Sequence, residues 1–135
     1  MENRRNFVLK VAAGMAATSF IAIPSQVEAS EAAMQNVFVH HVFFWLKDPK
    51  DPQARKQFEK GLQGLITVPQ IQSYHIGNPV ESSREVVDDS FTYSYMAFFK
   101  SKEDQNAYQT HPIHLKFVED CQQLWQKVIV YDAMD

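Results

Sequence analysis

The sequence has little cysteine and little glycine, and each scarcity excludes a class of site. Cys121 is the only cysteine, so the chain cannot form an internal disulfide. It stands at helical spacing from Phe117 and Trp125, which is typical of a small buried hydrophobic side chain. The four glycines form no glycine-rich phosphate loop, and no serine stands in a nucleophile elbow motif. We therefore expect neither a phosphate-binding loop nor a serine nucleophile of that kind.

An excess of positive charge is also lacking. The chain carries 13 Lys and Arg against 16 Asp and Glu. Residues 1–29 hold three of the basic and two of the acidic residues, so the remainder carries 10 against 14, a net charge of −4. Because an acidic surface repels phosphate backbones, and no basic stripe follows the chain, we expect no nucleic-acid partner.

The apolar run near the start of the sequence, from Val11 to Ile23, is too short to span a membrane. It has about thirteen residues, whereas a bilayer-spanning helix needs about twenty. Basic residues precede the run and small residues follow it, so residues 1–29 are predicted to be an export signal that is cleaved and leaves no stable membrane anchor. The protein is then expected in the periplasm or outside the cell. Two routes are open, because "NRRNFVLK" resembles the twin-arginine motif and a general secretory signal that starts with Arg-Arg also fits.

After a short linker, 30–35, residues 36–135 are long enough for one domain and too short for two. Alternation of apolar residues predicts strands, and helical spacing between capping residues and prolines predicts helices. The predicted order is strand 36–47, a helix that begins at 52 and ends between 65 and 68, strand 71–77, strand 91–100, helix 102–111, helix 112–126 and strand 127–133. This order predicts an α+β fold, with a four-stranded antiparallel sheet and helices on one face. The other face still carries aromatic residues, and a second copy of the chain would cover it.

Three segments carry a family resemblance. "HHVFFWLK" on the first strand, "YQTHPIH" between the last two helices and "KVIVYD" on the last strand resemble, in this order and spacing, the stress-responsive dimeric α/β-barrel family, called Dabb. The resemblance covers nearly all of 36–135. It implies a ferredoxin-like protomer whose sheet packs against that of a second copy, which makes a dimeric α/β barrel.

The resemblance also implies roles for single residues. In a plant cyclase of this family, the last histidine of the Tyr-x-x-His-Pro-x-His element is the base of an aldol ring closure, and the tyrosine assists. These roles fall on His114 and Tyr108, and the family's first-strand histidine is matched by His41. Where the cyclase has a further pocket histidine on its third strand, this chain has Tyr93.

The residues of the corner support such chemistry independently of the family. His114 falls in the first turn of a predicted helix, where the helix dipole keeps the imidazole neutral and able to accept a proton. A Tyr–His pair in an apolar pocket can remove a proton next to a carbonyl group and stabilise the enolate. His114 can equally be a half-buried ring whose N–H satisfies a carbonyl group. His111 is interpreted as a structural residue that satisfies free backbone groups at the corner.

We expect each protomer to enclose an apolar pocket between the sheet and the corner. Its predicted substrate-binding residues are His41, Phe43, Trp45, Tyr74, Tyr93 and Tyr95. His41 either lines this pocket or is a buried, hydrogen-bonded residue of the core, and His40 on the opposite strand face is interpreted as packing. Such a pocket suits a small carbonyl or aromatic ligand.

No cofactor and no metal site is expected. A proline separates His111 from His114, and no second ligand pair completes a set. Two functions follow from the sequence: acid–base catalysis of the cyclase type, or a non-catalytic stress-response or ligand-binding homodimer.

Overall fold

The helices and strands follow one another in the order that the sequence predicts. The computed structural model describes residues 32–135. The predicted export signal lies outside these residues. Within them no helix has the length and apolar character needed to cross a membrane. The elements are β1 (Phe38–Leu46), α1 (Pro52–Leu65), β2 (Ser73–Gly77), β3 (Tyr93–Phe99), α2 (Lys102–Gln109), α3 (Pro112–Cys121) and β4 (Trp125–Met134), with a 3-10 turn at Gln122–Leu124.

The four strands form one antiparallel sheet in the order β2-β3-β1-β4. β1 is a central strand, and it pairs with β3 from Phe38 opposite Phe99 to Phe44 opposite Tyr93. β4, although last in sequence, adds to the other side of β1. The predicted α+β fold, with a four-stranded antiparallel sheet and helices on one face, is confirmed.

The boundary between α3 and β4 differs from the prediction, which extended the helix to about Gln126. The helix ends at Cys121, and Trp125 already pairs with Leu46 of β1. The amide of Lys47 also donates a hydrogen bond to the carbonyl of Leu124 at 2.9 Å. The β1 ladder thus satisfies the backbone here, although the side chains of this segment keep helical spacing.

The face of the sheet that the helices cover holds the core. Alternate residues of β1 and β3 point to this face, as expected for a strand period of two. They pack against Phe58, Leu62 and Leu65 of α1 and against Phe117 and Cys121 of α3. The buried strand residues of this core are Phe38, Val42, Phe44, Leu46, Tyr93, Tyr95, Ala97 and Phe99.

The opposite face, which we call the open face, is also rich in aromatic residues. Phe43 lies at its centre, with ring centroids 4.2 Å from His41, 5.0 Å from Phe91 and 6.2 Å from Tyr131. Tyr131 is 64% exposed, and His41, Phe43 and Phe91 are half-buried. The protomer by itself therefore leaves an aromatic surface in contact with water.

Candidate active site

The corner between α2 and α3 is built by a histidine and a proline. Pro112 is the first residue of α3, where its missing N–H costs no hydrogen bond. The Nδ1 atom of His111 accepts a hydrogen bond from the amide of Ile113 at 3.1 Å and so caps the helix. The interpretation of His111 as a structural residue of the corner is confirmed. The chain direction changes here, so that Tyr108 before the corner and His114 after it face each other.

Tyr108 is fully buried next to a second phenol. Its exposed fraction is 1%, and its hydroxyl lies 3.2 Å from the hydroxyl of Tyr95 on β3. Burial raises the pKa of Tyr95 to about 12 and raises the pKa of Tyr108 far above its ordinary value. Both phenols are therefore protonated at neutral pH and can act as hydrogen-bond donors.

His114 packs against Tyr108, with ring centroids 4.7 Å apart. Burial lowers the pKa of His114, a hydrogen bond with the backbone of Gln109 raises it, and the charge of His40 lowers it further. Its Nδ1 atom is buried and has no hydrogen-bond partner among residues 32–135. This atom is therefore open to a hydrogen bond with a bound molecule.

His40 completes the group from β1. It is 5% exposed, and its Nδ1 atom lies 2.7 Å from Oδ1 of Asp132 on β4. Since a carboxylate only accepts hydrogen bonds, the imidazole donates from Nδ1, and Nε2 is the basic nitrogen when the ring is neutral. The ring centroid of His40 lies 5.6 Å from that of Tyr108.

These five residues, His40, Tyr95, Tyr108, His114 and Asp132, are called the ring cluster below. They combine two imidazoles, two protonated phenols and one carboxylate on the helix side of the sheet. Such a set can accept a proton at one nitrogen and donate a hydrogen bond to a developing oxyanion from a phenol. The arrangement suits proton transfer without a cofactor.

Three of the predicted pocket residues do not join this cluster. His41, Phe43 and Trp45 lie on the open face, separated from Tyr108 and His114 by the sheet. The Nε2 atom of His41 lies 2.7 Å from Oγ of Ser94, and burial together with the charges of His75 and His40 lowers its pKa. The prediction that these residues share one cavity with the corner does not match the structure, because successive residues of a strand point to opposite faces.

The other two predicted lining residues are on the helix side but outside the cluster. Tyr93 is buried, and its hydroxyl donates to Oε1 of Glu59 at 2.6 Å. The guanidinium of Arg55 lies over its ring, 4.8 Å from the centroid. Tyr74 on the edge strand β2 is 48% exposed. Of the substrate-binding residues that the sequence suggests, only Tyr95 contacts the corner.

Sequence reasoning missed His40 and Asp132. His40 shares its strand face with Val42, Phe44 and Leu46, the most buried residues of β1. This alternation of aliphatic and aromatic residues was the available signal that His40 points towards the helices. Asp132 is an acid at strand spacing from Val130 and Val128, and it is the only charged residue of β4 after Lys127. The interpretation of His40 as a packing residue agrees with its burial against Tyr95, Phe99 and Tyr108, and His40 in addition binds a carboxylate.

The two surface grooves that we identify lie away from the ring cluster. One, of about 780 Å³, runs between α1 and α3 next to Gly61 and Phe117. The other, of about 370 Å³, lies where β1 ends, next to Trp45 and Arg55. Over the described range, no group of three or more His, Cys, Asp or Glu is placed to hold a metal ion.

Residues 38–135 match the stress responsive A/B barrel domain family, Dabb, across the whole sheet and all three helices. The chain belongs to the Dabb family. The expected family resemblance is thereby confirmed, whereas the twin-arginine motif falls on residues that the structure does not describe.

Individual Dabb relatives and structural neighbours resemble it only distantly. The stress-response A/B barrel domain-containing protein DABB1 of Arabidopsis thaliana is 26% identical over 100 residues; these cover 73% of this chain but 47% of the relative, so the chain spans about half of its length. A hydroxynitrile lyase from Passiflora edulis matches with a TM-score of 0.65 at 20% identity, over 76% of this chain and 95% of the lyase. A dimeric ferredoxin-like protein of unknown function from Thermobifida fusca matches with a TM-score of 0.60 at 17% identity, over 77% of this chain and 96% of its own. The latter two matches support the ferredoxin-like fold and nothing more.

Proposed function

We propose that the ring cluster transfers a proton to or from a small carbonyl compound, in a homodimer that the open face holds together. The observation that carries this proposal is the Nδ1 atom of His114, which is buried and unpaired beside Tyr108. A buried acceptor without a partner costs about 1–3 kcal/mol. A substrate proton or hydroxyl placed at this atom would remove that cost.

The surrounding groups support His114 as the base. Burial lowers the pKa of His114 and so keeps its ring neutral at pH 7, and in the tautomer that carries its proton on Nε2 the buried Nδ1 has a free lone pair. Tyr108 has a hydroxyl that remains protonated, so it can donate a hydrogen bond to an enolate or alkoxide oxygen. The pair His40–Asp132 offers a second basic nitrogen, on a ring whose centroid lies 5.6 Å from that of Tyr108.

Access to the cluster requires movement. Tyr95 and Tyr108 are each 1% exposed, and Nδ1 of His114 is closed to solvent. A substrate therefore enters only when side chains of the α2–α3 corner rearrange. The same close packing favours the second candidate, a non-catalytic stress-response or ligand-binding homodimer in which the cluster is a hydrogen-bonded part of the core.

The homodimer rests on the open face. The rings of His41, Phe91 and Tyr131 surround Phe43 on this face. A contiguous group of aromatic side chains that is left uncovered marks an interaction surface. Solved proteins of the same fold are described as dimeric, among them the protein from Thermobifida fusca. A second copy of the chain would cover both open faces at once, as a two-fold interface requires.

Proton transfer is tested by the exchange of deuterium into carbon next to the carbonyl group of a panel of ketones and aldehydes. α-Hydroxynitriles are assayed separately, because one structural neighbour is a hydroxynitrile lyase: removal of the hydroxyl proton would expel cyanide and form the carbonyl compound, and both products are measured. We expect His114→Ala and Tyr108→Phe to lower the rate of the best substrate about 10²–10⁴-fold. His75→Gln, on the exposed edge strand, is the matched control and should retain the rate. Equal rates for the wild-type protein and His114→Ala would refute the catalytic proposal.

Export is proposed from the sequence of residues 1–29 alone. Amino-terminal sequencing of protein recovered from the periplasm or medium should begin near residue 30. Replacement of Arg4 and Arg5 by lysine separates the two routes, because the twin-arginine route should be blocked and a general secretory signal should still function. Protein that retains its first residue inside the cell would contradict export.

A further inference from the structure

The groove at the end of β1 combines a cationic side chain with an aromatic wall. It has a volume of about 370 Å³, and its walls include Trp45, Arg55, Asn78, Phe91 and Thr92. None of the residues of the ring cluster lines it. The groove is therefore separate from the ring cluster, and it borders the open face, to which Trp45 and Phe91 also belong.

Arg55 is held in place by neutral partners. Its Nη1 donates to the carbonyl of Pro49 at 2.9 Å, and its Nη2 donates to Oδ1 of Asn78 at 3.1 Å. One face of the guanidinium rests on the ring of Tyr93, 4.8 Å from the centroid. Both bonds are made to uncharged oxygens, so they orient the group and do not neutralise it.

The guanidinium keeps both its charge and several donors. Of its five N–H groups, the two bonds to Pro49 and Asn78 leave three. The ion pairs found among residues 32–135 join His40 to Asp132 and Lys116 to Asp120, and neither includes Arg55. Glu59, one helical turn further along α1, accepts instead from the hydroxyl of Tyr93 at 2.6 Å.

Two further donors border the groove. Oγ1 of Thr92 accepts a hydrogen bond from the amide of Leu46 at 3.0 Å, which leaves its own hydroxyl hydrogen free to be donated. Thr92 is 7% exposed, so this hydroxyl is positioned by the core. Because Asn78 accepts from Arg55 through Oδ1, its amide nitrogen remains a donor.

The remaining wall carries aromatic and proline side chains. Trp45 and Phe91 contribute rings, and Pro79 contributes its ring from the loop after β2. The indole of Trp45 is fixed by a hydrogen bond from Nε1 to Oγ of Ser90 at 3.1 Å. The ammonium of Lys127 lies 4.5 Å from the centroid of the Trp45 ring and adds a second positive charge nearby.

From this geometry we infer that the groove binds a small organic carboxylate with a planar apolar body. The guanidinium of Arg55 and the amide of Asn78 receive the carboxylate, and the rings of Trp45 and Phe91 contact the body. A planar guanidinium matches the two oxygens of a carboxylate. The apolar wall distinguishes an aromatic acid from an ion such as acetate.

The test uses the full chain, labelled with ¹⁵N, and follows the indole N–H signals of its two tryptophans. The variant Trp45→Phe identifies the signal of Trp45, and Trp125 is the internal reference. Benzoate is titrated against benzamide, which has the same shape without charge, and against acetate, which has the charge without the ring. We expect a saturable shift of the Trp45 signal with benzoate, and binding of benzamide and acetate that is at least about tenfold weaker.

Two variants of the groove and two controls complete the test. Arg55→Gln should weaken benzoate binding at least about tenfold. Asn78→Asp should weaken benzoate binding to a similar extent without removing Arg55, because it places a competing carboxylate on the guanidinium. If Arg55→Gln does not fold, Asn78→Asp alone tests whether Arg55 binds the carboxylate. Lys56→Gln removes a charge from the exposed neighbour on α1, and Tyr108→Phe alters the ring cluster; both should bind benzoate as the wild type does. Equal binding of benzoate and benzamide, or full binding by Asn78→Asp, would overturn the inference.

Discussion

The carboxylate of Asp132 on β4 lies 2.7 Å from Nδ1 of His40 on the neighbouring strand β1, although the two residues are 92 positions apart in sequence. The pairing of β1 with β4 brings these residues opposite each other. The bond orients a buried imidazole beside Tyr108 and so connects the last strand of the fold to the candidate active site.

Removing this carboxylate should destabilise the fold. Asp132→Ala leaves the N–H of His40 without its acceptor, and we expect the free energy of unfolding in urea to fall by about 1–2 kcal/mol. Asp132→Asn should recover most of this loss, because an amide oxygen can still accept the bond. Asp120→Ala is the control, since Asp120 pairs with Lys116 at the exposed surface and its loss should change stability little. Equal losses of unfolding free energy for Asp132→Ala and Asp120→Ala would show that the bond to His40 adds no more stability than an exposed ion pair.

Stability should decrease as the pH falls below about 6.5. Burial lowers the pKa of His114 in the folded state below its ordinary value of 6.5, so the unfolded chain binds a proton that the folded chain resists. Unfolding then takes up protons in the window from 6.5 down to the folded pKa, and acid favours the unfolded state there. His41 acts in the same direction, because burial lowers its pKa also.

The variants His114→Gln and His41→Gln assign this effect. Each should reduce the slope of the unfolding free energy against pH between 7 and 5, measured in urea at one fixed protein concentration. His75→Gln, at an exposed histidine, should reduce the slope less than His41→Gln does, because the charge of His75 is a smaller cause of the lowered pKa of His41 than burial is. A wild-type protein whose stability is the same at pH 7 and pH 5 would rule out the buried neutral state of these rings.

Two glycines of α1 form a matched pair for stability. A Cβ atom at Gly61 would collide with Sγ of Cys121 on α3, whereas a Cβ at Gly64 would meet nothing within 4 Å. We expect Gly64→Ala to stabilise the protein by about 0.5–1 kcal/mol, because alanine favours the helix, and Gly61→Ala to destabilise it by about 1–3 kcal/mol. Thermal unfolding monitored by circular dichroism measures both changes. Cys121→Ala in the Gly61→Ala background should restore part of the loss; a stabilising Gly61→Ala would contradict the close approach of α1 and α3.

A charge at the centre of the open face should separate the proposed dimer. Phe43→Asp places a carboxylate among His41, Phe91 and Tyr131, and burying that charge between two copies would be costly. Sedimentation should show a monomer for this variant and a dimer for the wild type. Val86→Asp, in an exposed loop, should remain dimeric. A dimeric Phe43→Asp would locate the interface elsewhere.

The order of the helices and strands could be predicted because local signals agree with one another. The side chain of Asp51 caps α1 through the amide of Gln53, and Ser101 caps α2 through the amide of Asp104, as their positions before helical spacing suggest. The start of β4 was misplaced because Trp125 keeps helical spacing from Cys121, while its backbone pairs with β1. The spacing of side chains within a segment does not show whether its backbone N–H and C=O groups will bond within a helix or to a neighbouring strand.

The candidate site was predicted in part for the same reason. Tyr108, His111 and His114 lie within one short segment, so the proline between them is enough to place them at one corner. The choice between His40 and His41 depends on which face of β1 the helices cover. That choice is made by packing over the whole domain, and both faces of this strand are apolar enough to be the core.

The amino-acid order alone thus specifies the α+β alternation, the capped helices and the Tyr–His corner, because caps, prolines and side-chain periods act over a few residues. Only the folded sheet decides that Asp132 meets His40, that Tyr95 meets Tyr108, and that His41, Phe43 and Trp45 face the other way. Those relationships join residues that are distant in sequence, and they exist only once antiparallel register and helix packing assign a direction to every side chain.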